Sequence, residues 1–254
     1  MQITKEQYIR IADSFPRQRG NVTQDNLQVI NAILYVLEQG CKWRGLPEHF
    51  GNWHSIYTRM SRWSKNGTLD RIFERLQQER LISIKITTTS LDSTCVKVHP
   101  DGTGALKKGG PQAIGKSRGG WTTKIHMVAA TAEWPLIYSL SPGNAGDAPE
   151  GRRLLMTLGS APTEPCHLLM DRAYEGNETR QLSWDLGFTP VVPPNPNRLE
   201  PWEYDKELYK KRNEVERLFR RLKGYRRVCT RYDKLDIMYL GFLTFAFIVE
   251  ALIR

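Results

Sequence analysis

The spacing of apolar positions along the chain changes character near residue 80. Before it, apolar residues recur every three or four positions. Trp53, Ile56, Tyr57, Met60 and Trp63 share one helical face, and Leu69, Ile72, Phe73 and Leu76 share another. Helix start signals agree: Thr4 with Gln7 forms a capping box, Thr23 can cap a second helix that stops at Gly40, a third begins after Asn52, and Thr68 can cap a fourth. After about Ile82 the pattern becomes that of strands. Ile84 to Val98 is rich in Ile, Thr and Val, and Lys124 to Ala130 and Pro135 to Leu140 read as two more strands joined around Ala132-Glu133-Trp134. A helix over 149–159, an apolar strand His167–Met170, a helix Asn177–Leu186, a short strand Pro190–Val192 and helices near 205–223 and 234–253 complete the pattern. Three strands before a helix, followed by alternation, predict an α/β fold: a mixed sheet with helices on its faces over residues 81–254, preceded by an all-α domain over residues 1–80. With Arg59, Arg62 and Lys65 beside its aromatic face, the leading domain could be a helix-turn-helix-like, DNA-binding module. An aromatic stripe at this spacing is more often simply a core.

Charge sharpens this picture. The 254 residues carry 37 Lys and Arg against 27 Asp and Glu, a net +10. Eleven bases and three acids fall between Lys206 and Arg231, so that stretch alone holds 11 − 3 = +8. Such a stripe suits a polyanion, since each neutralised phosphate releases condensed counterions; the alternative is a solvated helix face. Cys41, Cys95, Cys166 and Cys229 form no CxxC pair and no zinc spacing, and without a secretory signal they read as reduced thiols in a cytoplasmic protein, Cys95 as part of the core. The apolar run Ile237 to Val249 is shorter than the ~20 residues that span a bilayer. It reads as a buried helix, and no membrane is implied.

Candidate chemistry begins with carboxylates in awkward places. Asp92 lies within a strand, and Asp171 sits just past an apolar one, where open α/β sheets place their sites. On a helix over 205–223, setting Glu216 at 0° puts Tyr209 at about +20°, Arg212 at about −40° and Lys223 at about −20°. Val215, Leu218, Phe219 and Leu222 form an apolar arc beside that stripe, while Glu214 faces away. Asp92, Asp171 and Glu216 could therefore converge on divalent metal, and hard oxygen ligands suit Mg²⁺; three unrelated surface acids remain the alternative. Asp147, after the third strand, is a helix cap or a support for such a site. Gly110 to Ser117 fits the phosphate-loop pattern GxxxxGK[ST], but no apolar strand precedes it and Ser117-Arg118-Gly119-Gly120 starts a helix poorly. A basic loop with Lys107, Lys108, Lys116 and Arg118 near a DNA backbone fits better.

Tyr209, Arg212, Glu216 and Lys223 reproduce the Y-x2-R-x3-E-x6-K signature of bacterial insertion-sequence DDE transposases. Leu91-Asp92-Ser93-Thr94 resembles the first catalytic-strand motif of that family and Asp171-Arg172-Ala173-Tyr174-Glu175-Gly176 the second. Trp43-Arg44-Gly45-Leu46-Pro47, Phe50-Gly51-Asn52-Trp53 and Arg62-Trp63 look like the leading domain of the insertion-sequence-five group. The resemblance covers nearly the whole chain. It implies an RNase H-like catalytic fold, a catalytic and metal-binding triad of Asp92, Asp171 and Glu216, and Mg²⁺ dependence with Mn²⁺ as a possible substitute. It further implies DNA contacts by Tyr209, Arg212 and Lys223, cleavage at element ends followed by strand transfer, double-stranded DNA as partner, a homodimeric synaptic complex, and a cytoplasmic, nucleoid-associated location. An RNase H-like nuclease or junction resolvase, and a non-catalytic DNA-binding regulator, are the competing readings.

Overall fold

A computed structural model describes the chain except residues 19–21, 23, 83, 84, 105–109, 163, 164 and 254. In chain order its elements are α1 (Lys5–Ile9), α2 (Asn26–Gln39), α3 (Trp53–Lys65), α4 (Thr68–Leu81), β1 (Thr88–Val98), β2 (Gly115–Ser117), β3 (Gly120–Ala129) and β4 (Pro135–Pro142). There follow α5 (Asp147–Leu158), β5 (Cys166–Met170), α6 (Asn177–Asp185), β6 (Phe188–Val191), α7 (Lys206–Tyr209), α8 (Asn213–Leu222), α9 (Arg226–Cys229), β7 (Thr230–Arg231) and α10 (Asp236–Ile253). Two compact units result: residues 1–79, 98–112 and 222–254 form the first, and residues 80–97 and 113–221 the second. Compactness thus does not follow a single cut at residue 80.

The reason lies in α10. It is apolar on nearly every side, long and apolar enough to cross a membrane, and 72% of its residues are buried. A helix without a polar face needs partners all round, and the N-terminal helices supply them. Trp43 stacks on Phe242 at 5.8 Å and Phe73 meets Phe247 at 5.7 Å. At Gly241 a Cβ would fall 2.2 Å from Ser64 Oγ, so α3 and α10 approach almost backbone to backbone. Thr23 lies outside the described residues; Asp25 caps α2 by accepting from Gln28 N–H at 2.6 Å. Gly40, at φ 64°, ends that helix in the left-handed region. Asn52 caps α3 as expected, accepting from the amides of His54 and Ser55. Thr68 is not a cap: it is the first residue of α4, and Asn66 Oδ1 accepts from both its amide and its hydroxyl.

The first unit also revises the basic stripe. Arg227 and Arg231 are buried structural cations. Arg227 donates to both carboxylate oxygens of Asp233, at 2.9 and 3.1 Å, and Arg231 donates to Asp236 at 2.7 Å. A charge count cannot separate such groups from solvated ones.

The second unit is built on a mixed sheet in the order β4-β3-β1-β5-β6, with β2 pairing the start of β3. β1 runs antiparallel to β3 and parallel to β5, which runs parallel to β6. Helices α5 and α6 cover the sheet, and Leu91, Val128, Leu154, Leu155, Leu168 and Phe188 form its core. This is the RNase H-like arrangement: an antiparallel meander joined to parallel crossovers. Lys116 and Ser117 lie in β2, opposite Trp121 and Gly120, not at a helix start, so the phosphate-loop pattern is a coincidence of spacing. Lys107 and Lys108 lie outside the described residues. Cys95 is exposed rather than core, because strand alternation turns it away from buried Val96. The expected helix 205–223 is three pieces: α7, a 3-10 turn Lys210–Arg212 against β5, and α8.

Candidate active site

Parallel pairing of β1 with β5 aligns Leu91 with Met170. The next residue along the chain is in each case an aspartate, so Asp92 within β1 and Asp171 just past β5 stand side by side. Asp171 Oδ1 accepts from the Arg172 amide at 2.6 Å and caps a short 3-10 turn, Arg172–Tyr174. Asp92 Oδ1 accepts from the Ser93 amide at 2.7 Å.

The third carboxylate arrives through Arg212. Its Nη1 donates to Asp92 Oδ2 at 2.7 Å and its Nη2 to Glu216 Oε1 at 2.5 Å. The Arg212–Glu216 pair is one turn apart, a spacing at which side chains meet. Exposure grades across the group: the side chains of Asp92 and Arg212 are 14% and 18% exposed, that of Glu216 46%. Glu216 therefore forms the open rim. Tyr209 lies beside it, its ring centroid 5.7 Å from the Arg212 guanidinium carbon, and burial raises its phenol above the ordinary range.

Burial pushes the Asp92 carboxyl up to about 6. The Ser93 amide and Arg212 oppose that rise, and the charges of Asp171 and Glu216 add to it. Each of the other two acids is thus close enough to be felt at Asp92. Among the described residues, however, no group of three His, Cys, Asp or Glu side chains is drawn tightly enough to grip a metal as it stands; the cation between Asp92 and Glu216 is the Arg212 guanidinium. The donor chemistry nevertheless fits a hard divalent ion, being carboxylate oxygen whose mutual repulsion a second positive charge would relieve.

A fourth acid is built into the surroundings. Asp147 is the first residue of α5, but Gly146 holds the cap position and the Asp147 side chain does not cap. Its Oδ1 accepts from Ser93 Oγ at 2.8 Å and Lys124 Nζ at 2.9 Å, and Lys124 also donates to the Ala145 carbonyl at 2.7 Å. Sequence reasoning flagged Asp147 but missed Ser93 and Lys124, whose partners lie on other elements. Tyr174 closes the floor, its ring buried and its phenol raised by burial and by the charges of Asp147, Asp92 and Asp171.

Of the remaining expected residues, Lys116 on β2 and Arg118 in the β2–β3 turn are exposed in the same unit. Lys223 follows the last residue of α8 and belongs to the first unit, so the helical stripe does not run unbroken from Tyr209 to Lys223.

Residues 84–248 match the family described as "Transposase DDE domain", and residues 3–73 the family described as "Putative transposase of IS4/5 family". The chain is 33% identical over 126 residues to the "Putative transposase for insertion sequence element IS6501" of Brucella ovis, a stretch spanning 49% of this chain and 94% of that one. It is 33% identical over 94 residues to "Uncharacterized protein y4sN" of Sinorhizobium fredii, spanning 37% of this chain and 71% of that one. Among solved structures, "Crystal structure of the Mos1 mariner paired end complex with Mn" is remotely similar, at 12% identity and a TM-score of 0.33, with 95% of this chain and 83% of that one covered.

Proposed function

The chain belongs to the DDE transposases of the IS4/5 family, and from that premise we propose that Asp92, Asp171 and Glu216 cut DNA at the ends of its own element and join those ends to target DNA. The observation that carries this reading is the Arg212 bridge: a residue on the last third of the chain ties Asp92 on β1 to Glu216 on α8, beside Asp171 at the end of β5.

The three carboxylates would hold divalent metal, Mg²⁺ or in its place Mn²⁺. When bound, such ions activate an attacking oxygen and stabilise a leaving one during in-line displacement at phosphorus. The rest falls to the chain. Ser93 fixes the orientation of Asp92 through its amide. Arg212 and Tyr209, beside the carboxylates, would contact the scissile phosphate, Arg212 offering a guanidinium fork that fits phosphate oxygens. Lys116, Arg118 and Lys223 would meet the DNA backbone, fixing register rather than reading sequence. In the first step water attacks the phosphorus at the element end and the 3′-oxygen leaves as a hydroxyl. In the second, that hydroxyl attacks a phosphorus of target DNA and the target's own 3′-oxygen leaves. No covalent enzyme intermediate forms. The helical region 1–80 would recognise the ends, and two copies of the chain would hold two ends together.

The test is a strand-cleavage and strand-transfer assay on a duplex carrying the element's terminal inverted repeat, with and without Mg²⁺. Cleavage and joining in the native chain, both lost in Asp92→Ala, are expected. Undiminished activity in Asp92→Ala overturns the assignment, and cutting without joining marks a nuclease instead.

A further inference from the structure

We propose that the exposed face of α3 reads base pairs in the major groove of the element's terminal DNA. The identity of the DNA rests on the transposase reading above; the choice of helix does not.

Helix α3 is 13 residues long, about 20 Å at the rise of an α-helix, a length that suits the major groove. One side is core: Ile56, Met60, Trp63 and Ser64 are buried. The opposite side presents His54, Thr58, Arg62 and Lys65, spaced four, four and three residues apart and all exposed. His54, Arg62 and Lys65 carry hydrogen-bond donors, while the Thr58 hydroxyl already donates to the His54 carbonyl at 2.8 Å, and the sequence Trp53–Lys65 holds three cations and no acid. Among the described residues neither Arg62 nor Lys65 forms an ion pair. Arg59 is used differently: it donates to the Gln24 carbonyl at 2.9 Å and so fixes α3 against the turn that leads into α2. Burial and the nearby charge of Arg62 lower the Arg59 pKa, as expected where positive field accumulates. Two adjoining shallow clefts, of about 420 and 460 Å³, run along this face, a third of about 350 Å³ lies between α3 and the segment before α2, and Arg62 lines all three.

Connectivity alone would choose a different helix. Asn66 and Gly67, the latter at φ 71°, join α3 to α4 in a turn short enough for a helix-turn-helix, whose second helix would be the reader. Charge argues against it. In α4, Asp70, Glu74 and Glu79 balance Arg71, Arg75 and Arg80, and Arg75 is already bridged to Asp13 and Glu79. A helix whose acids and bases cancel offers phosphates little attraction, whereas α3, with three cations and no acid, attracts them.

The test uses the full chain without divalent metal, so that no strand is cut. Fluorescence anisotropy compares a duplex carrying the terminal inverted repeat with a shuffled duplex of the same composition. Arg62→Ala is expected to weaken binding to the repeat by about 5- to 150-fold, the range for losing one base-reading arginine, with little change on the shuffled duplex. Protection of a guanine N7 in the repeat from dimethyl sulfate should disappear with it. Lys65→Ala should weaken both duplexes alike and lower the salt slope by about one. Arg62 is exposed, so thermal melting should be unchanged. Equal loss on both duplexes in Arg62→Ala, or no loss, overturns the proposal, as does loss of specificity in Glu74→Ala with Arg62→Ala unaffected. A native chain that prefers the repeat yet ignores Arg62→Ala sinks the α3 assignment alone. A native chain that neither prefers nor joins repeat DNA sinks the transposase reading.

Discussion

Arg212 Nη1 lies 2.7 Å from Asp92 Oδ2, and the second nitrogen of the same guanidinium holds Glu216. One cation therefore keeps two mutually repelling carboxylates together, Asp92 largely buried and Glu216 at the open rim. Removing it leaves a buried charge without its partner, which costs more than the pair was worth. Arg212→Gln is expected to lower unfolding free energy by about 2–3 kcal/mol near neutral pH in chelator. Mn²⁺ should then raise the melting temperature further in Arg212→Gln than in the native chain, because metal must displace the guanidinium in the native chain and meets no such competitor in the variant. Equal metal-induced shifts in a thermal melt would rule out this competition.

Asp92 makes stability depend on pH. Its folded pKa of about 6 lies above the ordinary aspartate value near 4, so the folded state takes up the proton more readily than the unfolded chain. The carboxyl's favourable balance is complete below about pH 4 and is lost as pH rises through 6. The difference between the two states corresponds to about 3 kcal/mol. In chelator, Asp92→Asn should melt higher than the native chain at pH 8 and together with it at pH 4. A variant no more stable at pH 8 would mean that Arg212 fully compensates the buried charge.

What the sequence made legible was local. Helix starts at Thr4 and Asn52 could be read because a cap needs only residues within one turn. Glu216 could be preferred to Glu214 because an apolar arc orients its helix. Asp92 could be placed on a strand and Asp171 just past one, but their adjacency depends on β1 and β5 pairing in parallel, a contact between segments nearly 80 residues apart. Lys210–Arg212 contains no glycine or proline, so nothing local announces the 3-10 turn against β5. Asp147 looked like a cap because it opens a helix; its partners Ser93 and Lys124 stand 54 and 23 positions away. Arg227 and Arg231 looked like solvent charges for the same reason, since burial is a property of the fold.

Gly151 tests how closely α5 must lie on the site. A Cβ there would meet Tyr174 Cε1 at 2.5 Å, Tyr174 Cδ1 at 2.9 Å and Leu91 Cδ2 at 3.2 Å. Alanine is the better helix former by up to about 1 kcal/mol, but a buried ring cannot swing away, and overpacking of this kind costs about 1–3 kcal/mol. Gly151→Ala should therefore be destabilising overall and reduce cleavage, since Tyr174 and Leu91 flank both strand aspartates. Combining it with Tyr174→Leu should cost less than the sum of the two single changes in denaturant melts. Strict additivity would show that the ring is not the obstacle.

Arg227 and Asp233 offer the corresponding test in the first unit. Their side chains are 5% and 7% exposed, and the guanidinium also donates to the Cys41 carbonyl at 3.0 Å. Arg227→Ala strands an ionised carboxylate, and such breakage costs about 3–5 kcal/mol. Replacing both partners together, Arg227→Met with Asp233→Leu, removes the stranded charge. The Cys41 carbonyl then loses one donor, at about 1 kcal/mol. The double variant should consequently be more stable than Arg227→Ala while binding element-end DNA like the native chain, because these two charges serve the fold and not the phosphate backbone. A fall in DNA affinity in the double variant at unchanged stability would return Arg227 to the basic surface that its position in the sequence first suggested.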